Sequence, residues 1–349
     1  MEFNKLTLLM IPLAIIITWF LLDVVRKLSI KFRVFAVPNE RSSHDSIIPA
    51  TGGVALCISW IILIFIYSVL IEQDIGVELY FYVLAGVLIS IVGFYDDLNE
   101  LPSFVKLLLQ IFIFFIISFG DNSLINSFHG VLGIYELSYF ESLLFSLFVF
   151  IVIVNAINLV DGIDGLSGSL TLFFLIITSY FYFESNYHYS YLVVAFCFSL
   201  SVFLFFNYSE RKKIFLGDTG SLGLGLCVAV LSLGYLNTDH PTYNLFPINQ
   251  PLFVVLMIAY PLLDVIRVFI LRIYNGKSFM MADRNHIHHK LIDIGLSHKK
   301  AVFVIILSQL SLLTFNVIII PQINLHIQIL INGFIIASLL LFLYRIPNK

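Results

Sequence analysis

Between Asn155 and Ser169 the chain reads NAINLVDGIDGLSGS, setting two amides, two carboxylates and several glycines between long apolar runs. Asn155 and Asn158 share i, i+3 spacing, as do Asp161 and Asp164, so a helical or turn-like backbone presents each pair on one face. Gly162, Gly165 and Gly168 permit positive φ or a close backbone approach, which a ligand-cradling loop requires and a plain polar connection does not.

Four further segments carry polar clusters. GFYDDLNELPSFVKLLLQ, from Gly93 to Gln110, holds the adjacent acids Asp96 and Asp97, with Lys106 beyond Pro102. Neighbouring carboxylates at a membrane face repel one another unless a cation or shared proton relieves them. The plainer reading is a solvated turn beside a snorkelling lysine. FLGDTGSLGLG, from Phe215 to Gly225, follows the basic Arg211-Lys212-Lys213 and sets Asp218 between glycines. Thr219 or Ser221 is a candidate cap for a helix whose first amides suit an anion, and capping is also the simplest role for Asp218. DRNHIHHKL, from Asp283 to Leu291, brings His286, His288 and His289 beside Arg284 and Lys290. Histidines among cations read as donors to phosphate oxygens, whereas zinc sites usually recruit Cys or carboxylate partners. PNERSSHDSIIPATGG, from Pro38 to Gly53, places Arg41 and His44 ahead of a glycine pair; it serves as a topology signal or an anion-binding loop. Asp264 and Arg267 are read as a pair within one helix, without a catalytic role.

The elements that must position these clusters are membrane spans. Hydrophobic residues make up 60% of the 349 and charged residues 12%, against about 25% charged in a soluble domain. Apolar runs of about the 20 residues that cross a bilayer lie near 6–22, 51–71, 79–95, 104–120, 142–158, 166–184, 191–207, 221–236, 251–272, 301–320 and 325–344. The first run lacks a small-residue cleavage site and is read as a span rather than a signal peptide. The fold expected is all-α, a single polytopic domain over 1–349 with about eleven transmembrane helices. An outside N-terminus and a cytoplasmic C-terminus then put all 19 Lys and Arg except Lys5 on one side, which the positive-inside rule makes cytoplasmic. Cys57, Cys197 and Cys227 lie singly within spans, without metal or redox spacing, and read as packing residues. The net charge of −3 gives no sign of a nucleic-acid partner.

All five clusters fall on that cytoplasmic side. Carboxylates and amides offer hard oxygen ligands for Mg²⁺, and Lys, Arg and His offer compensation for phosphate charge, a composition that matches Mg²⁺-assisted phosphoryl transfer.

In order and content the five motifs resemble the polyprenyl-phosphate N-acetylhexosamine-1-phosphate transferases, over most of the chain. The resemblance implies a bacterial inner-membrane enzyme whose active site faces the cytoplasm. It would transfer the sugar 1-phosphate of a UDP-amino sugar to undecaprenyl phosphate, releasing UMP and starting a cell-surface polysaccharide. By residue it implies Asn158 and Asp218 as ligands of Mg²⁺, with Mn²⁺ as a substitute. Asp96 and Asp97 become the pair that takes the lipid phosphate proton, Asp96 preferred, and Asp218, His286 and His288 complete the catalytic set. Substrate contacts fall to Arg41, His44, Gly53, Lys106, Asn155, Asp161, Asp164, Gly165, Arg284 and His289, with Asp164 accepting from the uracil N–H. The His-Ile-His-His order resembles the branch using UDP-N-acetylglucosamine; Ser278-Phe279-Met280-Met281 departs from relatives that carry proline after the serine, which bears on sugar specificity. The partners implied are the UDP-amino sugar, the polyprenyl phosphate, the bilayer and, as one option for assembly, a second copy of the chain. Competing expectations are a phospho-N-acetylmuramoyl-pentapeptide transferase, a scaffold that has lost activity, and a transporter, which predicts ionisable residues at mid-membrane and broken helices.

Overall fold

The computed structural model describes residues 5–36, 48–70, 76–120, 123–184, 190–237, 248–276, 286–318 and 323–344. Helices dominate: α1 (Lys5–Phe32), α2 (Gly52–Leu70), α3 (Val77–Asn99), α4 (Ser103–Ile117), α5 (Tyr139–Leu159), α6 (Leu166–Glu184), α7 (Ser190–Asn207), α8 (Gly217–Asn237), α9 (Gln250–Met257), α10 (Ala259–Tyr274), α11 (Ile287–Asp293), α12 (His298–Ile318) and α13 (Leu325–Tyr344). A two-residue antiparallel ladder, β1 (Phe35–Ala36) with β2 (Ile48–Pro49), closes the connection between α1 and α2. Seven of the described helices, α1, α2, α3, α5, α7, α8 and α12, are long and apolar enough to cross a membrane; α9 and α10 form a bent pair, and α4, α6 and α13 are shorter apolar helices.

α8 is the hub of the bundle, 83% of its membrane-length window being buried against 22% for α1. It packs against α2, α3, α5, α6 and α9. Its sequence explains the position, because glycines let neighbouring backbones come close where no hydrophobic drive separates helix from lipid. A Cβ on Gly53 of α2 would lie 2.1 Å from Gly220 N, one on Gly93 of α3 2.5 Å from Thr219 Cα, and one on Gly225 2.8 Å from Val154 Cα of α5. Gly53, expected to contact substrate, is instead buried against the α8 backbone, and its amide donates to Leu216 O at 2.8 Å. Around this core, side chains such as Leu8, Phe20, Phe65, Phe112 and Phe148 are exposed, as a lipid-facing surface requires.

The ninth apolar run, expected as one continuous span, is broken at Ile258 with a bend of 73°. Pro261 explains it: lacking an N–H, it leaves the carbonyl four residues back without a helical donor and its ring crowds that turn. Gln309 of α12 bridges the break, donating to Leu256 O and accepting from Tyr260 N at 3.1 Å. A broken helix is one mark of a transporter, but the group inserted here is a neutral amide that repairs backbone hydrogen bonding.

Candidate functional site

Four helix ends deliver the polar residues to one place. In the last turns of α3, Asp96 is 5% exposed; its Oδ1 accepts from Leu101 N at 2.6 Å, and its Oδ2 pairs with Lys106 Nζ of α4. Lys106 Nζ also lies 4.0 Å from Asp218 Oδ2, so one ammonium stands between two carboxylates. Asp97 takes a different part. Its Oδ1 accepts from Asp218 N at 2.7 Å, while Oδ2 accepts from Thr219 N at 3.0 Å and Thr219 Oγ1 at 2.7 Å. The cap expected from Thr219 or Ser221 therefore arrives from another helix. Asp97 satisfies amides that the first turn of α8 leaves without intrahelical partners, and its charge suits the positive end of the helix dipole. The acid pair, read from sequence as one proton-accepting unit, divides: Asp96 faces Lys106, and Asp97 fixes the segment that carries Asp218.

At the end of α5, Asn158 Nδ2 donates to Asp218 Oδ1 at 2.6 Å and to Ser221 Oγ at 2.8 Å. Asn155, expected to contact substrate from the same face, is one turn deeper. It exchanges hydrogen bonds of 2.6 and 3.3 Å with Gln110 and donates to Ile151 O at 2.8 Å, locking α4 to α5. In the α5–α6 connection Ser167 Oγ donates to Asp161 Oδ1 at 2.5 Å. Burial pushes the Asp161 carboxyl up to about 7, the Ser167 bond opposing and the charges of Asp97 and Asp164 adding. Asp164 is held the other way. Burial alone would raise it, but His298 Nδ1 at 2.9 Å and Lys213 Nζ at 2.6 Å bind its Oδ2 and keep it below the usual carboxylate value. Gly165, at φ +74°, turns the chain beneath Tyr208, whose hydroxyl would lie 2.1 Å from a Cβ there; the glycine is covered by that ring rather than open to a ligand.

Lys213 and His298 were not singled out in the sequence. Lys213 is part of a basic run that the positive-inside rule already explains, and His298 stands alone before Lys299-Lys300, so only the fold brings them to Asp164.

The three histidines are buried, not presented to solvent: His286 is 5%, His288 0% and His289 6% exposed. His286 Nδ1 lies 2.7 Å from Asp264 Oδ2, and Ile287 N donates to Asp264 Oδ1 at 2.7 Å. Asp264, expected to pair with Arg267 along its own helix, thus commits both oxygens to the histidine segment. Burial pushes His288 down to about 3, so it is neutral, and its Nε2 would lie 2.2 Å from a Cβ on Gly162. A direct phosphate contact from His288 is corrected by this burial: the ring faces the α5–α6 loop and α10. Arg41, His44 and Arg284, with the segment Ser278–Met281, lie outside the described residues.

As a cation site, Asp218 and Asn158 fit Mg²⁺. Asp218 keeps its side chain 36% exposed, Asn158 offers an amide oxygen on rotation of its terminal group, and the carboxylates of Asp96 and Asp218 face the single ammonium of Lys106. Hard oxygen ligands are the set this ion takes.

The family described as Glycosyl transferase family 4 matches residues 79–235, from α3 through α8. Curated relatives extend the likeness. A decaprenyl-phosphate N-acetylglucosaminephosphotransferase of Mycobacterium leprae is 30% identical over 84% of this chain and 79% of its own length. A probable undecaprenyl-phosphate N-acetylglucosaminyl 1-phosphate transferase of Bacillus subtilis is 29% identical over 81% and 76%. An undecaprenyl-phosphate alpha-N-acetylglucosaminyl 1-phosphate transferase of Escherichia coli O157:H7 is 26% identical over 84% and 78%.

Proposed function

The chain belongs to glycosyl transferase family 4, and we propose that it transfers N-acetylglucosamine 1-phosphate to a polyprenyl phosphate, the reaction for which its relatives are named. The donor in this reading is a UDP-amino sugar, the acceptor undecaprenyl phosphate, and the product the lipid-pyrophosphate sugar that starts a surface polysaccharide. The observation that carries it is the convergence of Asp96, Lys106, Asn158 and Asp218 from four helices, at distances that serve a pyrophosphate and its counter-ion.

An oxygen of the lipid phosphate attacks the β-phosphorus of the donor. A new P–O bond forms, the pyrophosphate bond breaks, and UMP leaves with the bridging oxygen. Asp96, buried beside Lys106, takes the remaining proton of the acceptor. That demand is small, because the second pKa of a phosphate monoester is about 6. Lys106 neutralises charge gathering on the phosphoryl oxygens. Asp218 and Asn158 would hold Mg²⁺, or Mn²⁺ in its place, and the bound ion would supply further charge neutralisation on the pyrophosphate. Asp164 Oδ2 is taken by Lys213 and His298, which leaves Oδ1 for the uracil N–H. No covalent enzyme intermediate is required; catalysis is positioning and charge compensation.

The membrane arrangement in this reading has eleven spans, with the N-terminus outside and the active site at the cytoplasmic face of a bacterial plasma membrane. It is supported by seven long helices, one bent pair and three shorter apolar helices, together with the lysine and arginine bias. The test is UMP release by purified protein. Asp218→Ala is expected to abolish it with an unfolding temperature near wild type, and Lys106→Ala to lower kcat about 100-fold with a lowered unfolding temperature, because Asp96 is left buried without its cation. Mg²⁺-dependent turnover of Asp218→Ala at the wild-type rate contradicts the ligand assignment.

A further inference from the structure

Behind the α5–α6 loop, where His288 packs on Gly162, the structure gathers a second set of ligand atoms that does not include Asp218. Asp264 of α10, His286 at the head of α11 and His288 within it each offer one ligand atom, all within 4.8 Å of one another and all buried. The carboxylate partner that the sequence pattern HIHH lacks is thus supplied by a different helix, through the bend that Pro261 imposes.

A hydrogen-bonded Asp264–His286 pair accounts for two of the three residues. It does not account for His288, which is 0% exposed, and neither of its ring nitrogens has a hydrogen-bond partner among the described residues. Buried polar atoms left unmatched are costly, so an imidazole in this state wants a ligand. Its Nδ1 is 3.8 Å from Asp264 Oδ2, and His286 Nδ1 is 2.7 Å from the same oxygen. Tetrahedral zinc with bonds of about 2.0 Å spaces its ligands at about 3.3 Å, a value these two separations bracket. Two imidazole nitrogens and one carboxylate oxygen form a borderline donor set that favours a transition metal over Mg²⁺.

We propose that Asp264, His286 and His288 bind one divalent transition-metal ion of the zinc class, which clamps α10 to α11 behind the Asp161–Gly165 loop. Gly162 fits that role, since any side chain there would displace the His288 ring.

The test is elemental analysis of untagged full-length protein in detergent, stripped with chelator and re-equilibrated with Zn²⁺ in excess Mg²⁺. One zinc per chain is expected, with a raised unfolding temperature on loading. Asp218→Ala is expected to keep that zinc, and His288→Gln or Asp264→Asn to lose it. Co²⁺ in place of Zn²⁺ gives a visible-band readout that does not depend on activity. A wild-type protein that retains no zinc, or zinc that leaves with Asp218→Ala and stays with His288→Gln, overturns the proposal.

Discussion

Two carboxylates three residues apart in one loop are driven in opposite directions by what surrounds them. Asp164 is held low by Lys213 and His298, so its ion pair is present above the unfolded carboxylate value and is lost only as the pH falls through its depressed folded value. Asp164→Ala is expected to weaken UMP binding about tenfold or more, through both the lost uracil acceptor and the Lys213 and His298 side chains left without their shared carboxylate; an unchanged affinity in calorimetric titration contradicts the assignment. Asp161, at about 7, has the reverse sign. Its proton is bound more tightly in the folded chain, so its contribution to stability is full below the unfolded value near 4 and is lost as the pH rises through about 7. Asp161→Asn keeps an acceptor for Ser167 and removes that loss. Relative to wild type, the variant should gain on the order of 1 kcal/mol between pH 5 and pH 8, read from the difference between the two unfolding curves at each pH. The residue types here were legible in sequence: Asp96, Lys106, Asn158 and Asp218 do meet. The split between Asp96 and Asp97 was not, because adjacent positions on a helix end point about 100° apart, and which acid meets the cap and which meets the lysine is decided by where α8 and α4 lie.

At the scale of elements the site is only as well placed as the contacts of α8. Asp97 ties α3 to the first turn of α8, Gln110 and Asn155 tie α4 to α5, and the Gly53, Gly93 and Gly225 contacts set the distances between backbones. Gly93→Ala is expected to cost about 1–3 kcal/mol by overpacking. Because it drives α3 from Thr219, UMP release should fall although no polar side chain has changed. Wild-type stability and rate in Gly93→Ala would contradict the packing argument. Hydropathy located the helices well, since burial in lipid needs only length and apolarity. It did not separate α9 from α10, although Pro261 carried the signal, because a hydropathy window averages over a break that Gln309 of a distant helix repairs. The glycines of GDTGSLGLG, which the sequence sets around Asp218 without a stated role, prove chiefly to be helix-packing residues. Sequence gives the absence of a side chain, not what fills the space.

For the whole molecule, the charge bias predicts which end of the bundle faces the cytoplasm, and the site's acids lie at that end of α3, α5 and α8. The exposed positions Glu210, between α7 and α8, and Tyr135, between α4 and α5, should therefore lie on opposite sides. With the three native cysteines replaced by serine, Glu210→Cys is expected to react with a membrane-impermeant thiol reagent only in inside-out vesicles and Tyr135→Cys only in intact cells; labelling from the same side overturns the topology. The central claim is the reaction itself. It is tested most directly by release of labelled UMP from purified protein given undecaprenyl phosphate and Mg²⁺, with either UDP-N-acetylglucosamine or UDP-N-acetylmuramoyl-pentapeptide as donor. The account predicts turnover with the first donor, dependent on the lipid acceptor, and none with the second. Turnover with the pentapeptide donor alone, or UMP release that does not need the lipid phosphate, would contradict it.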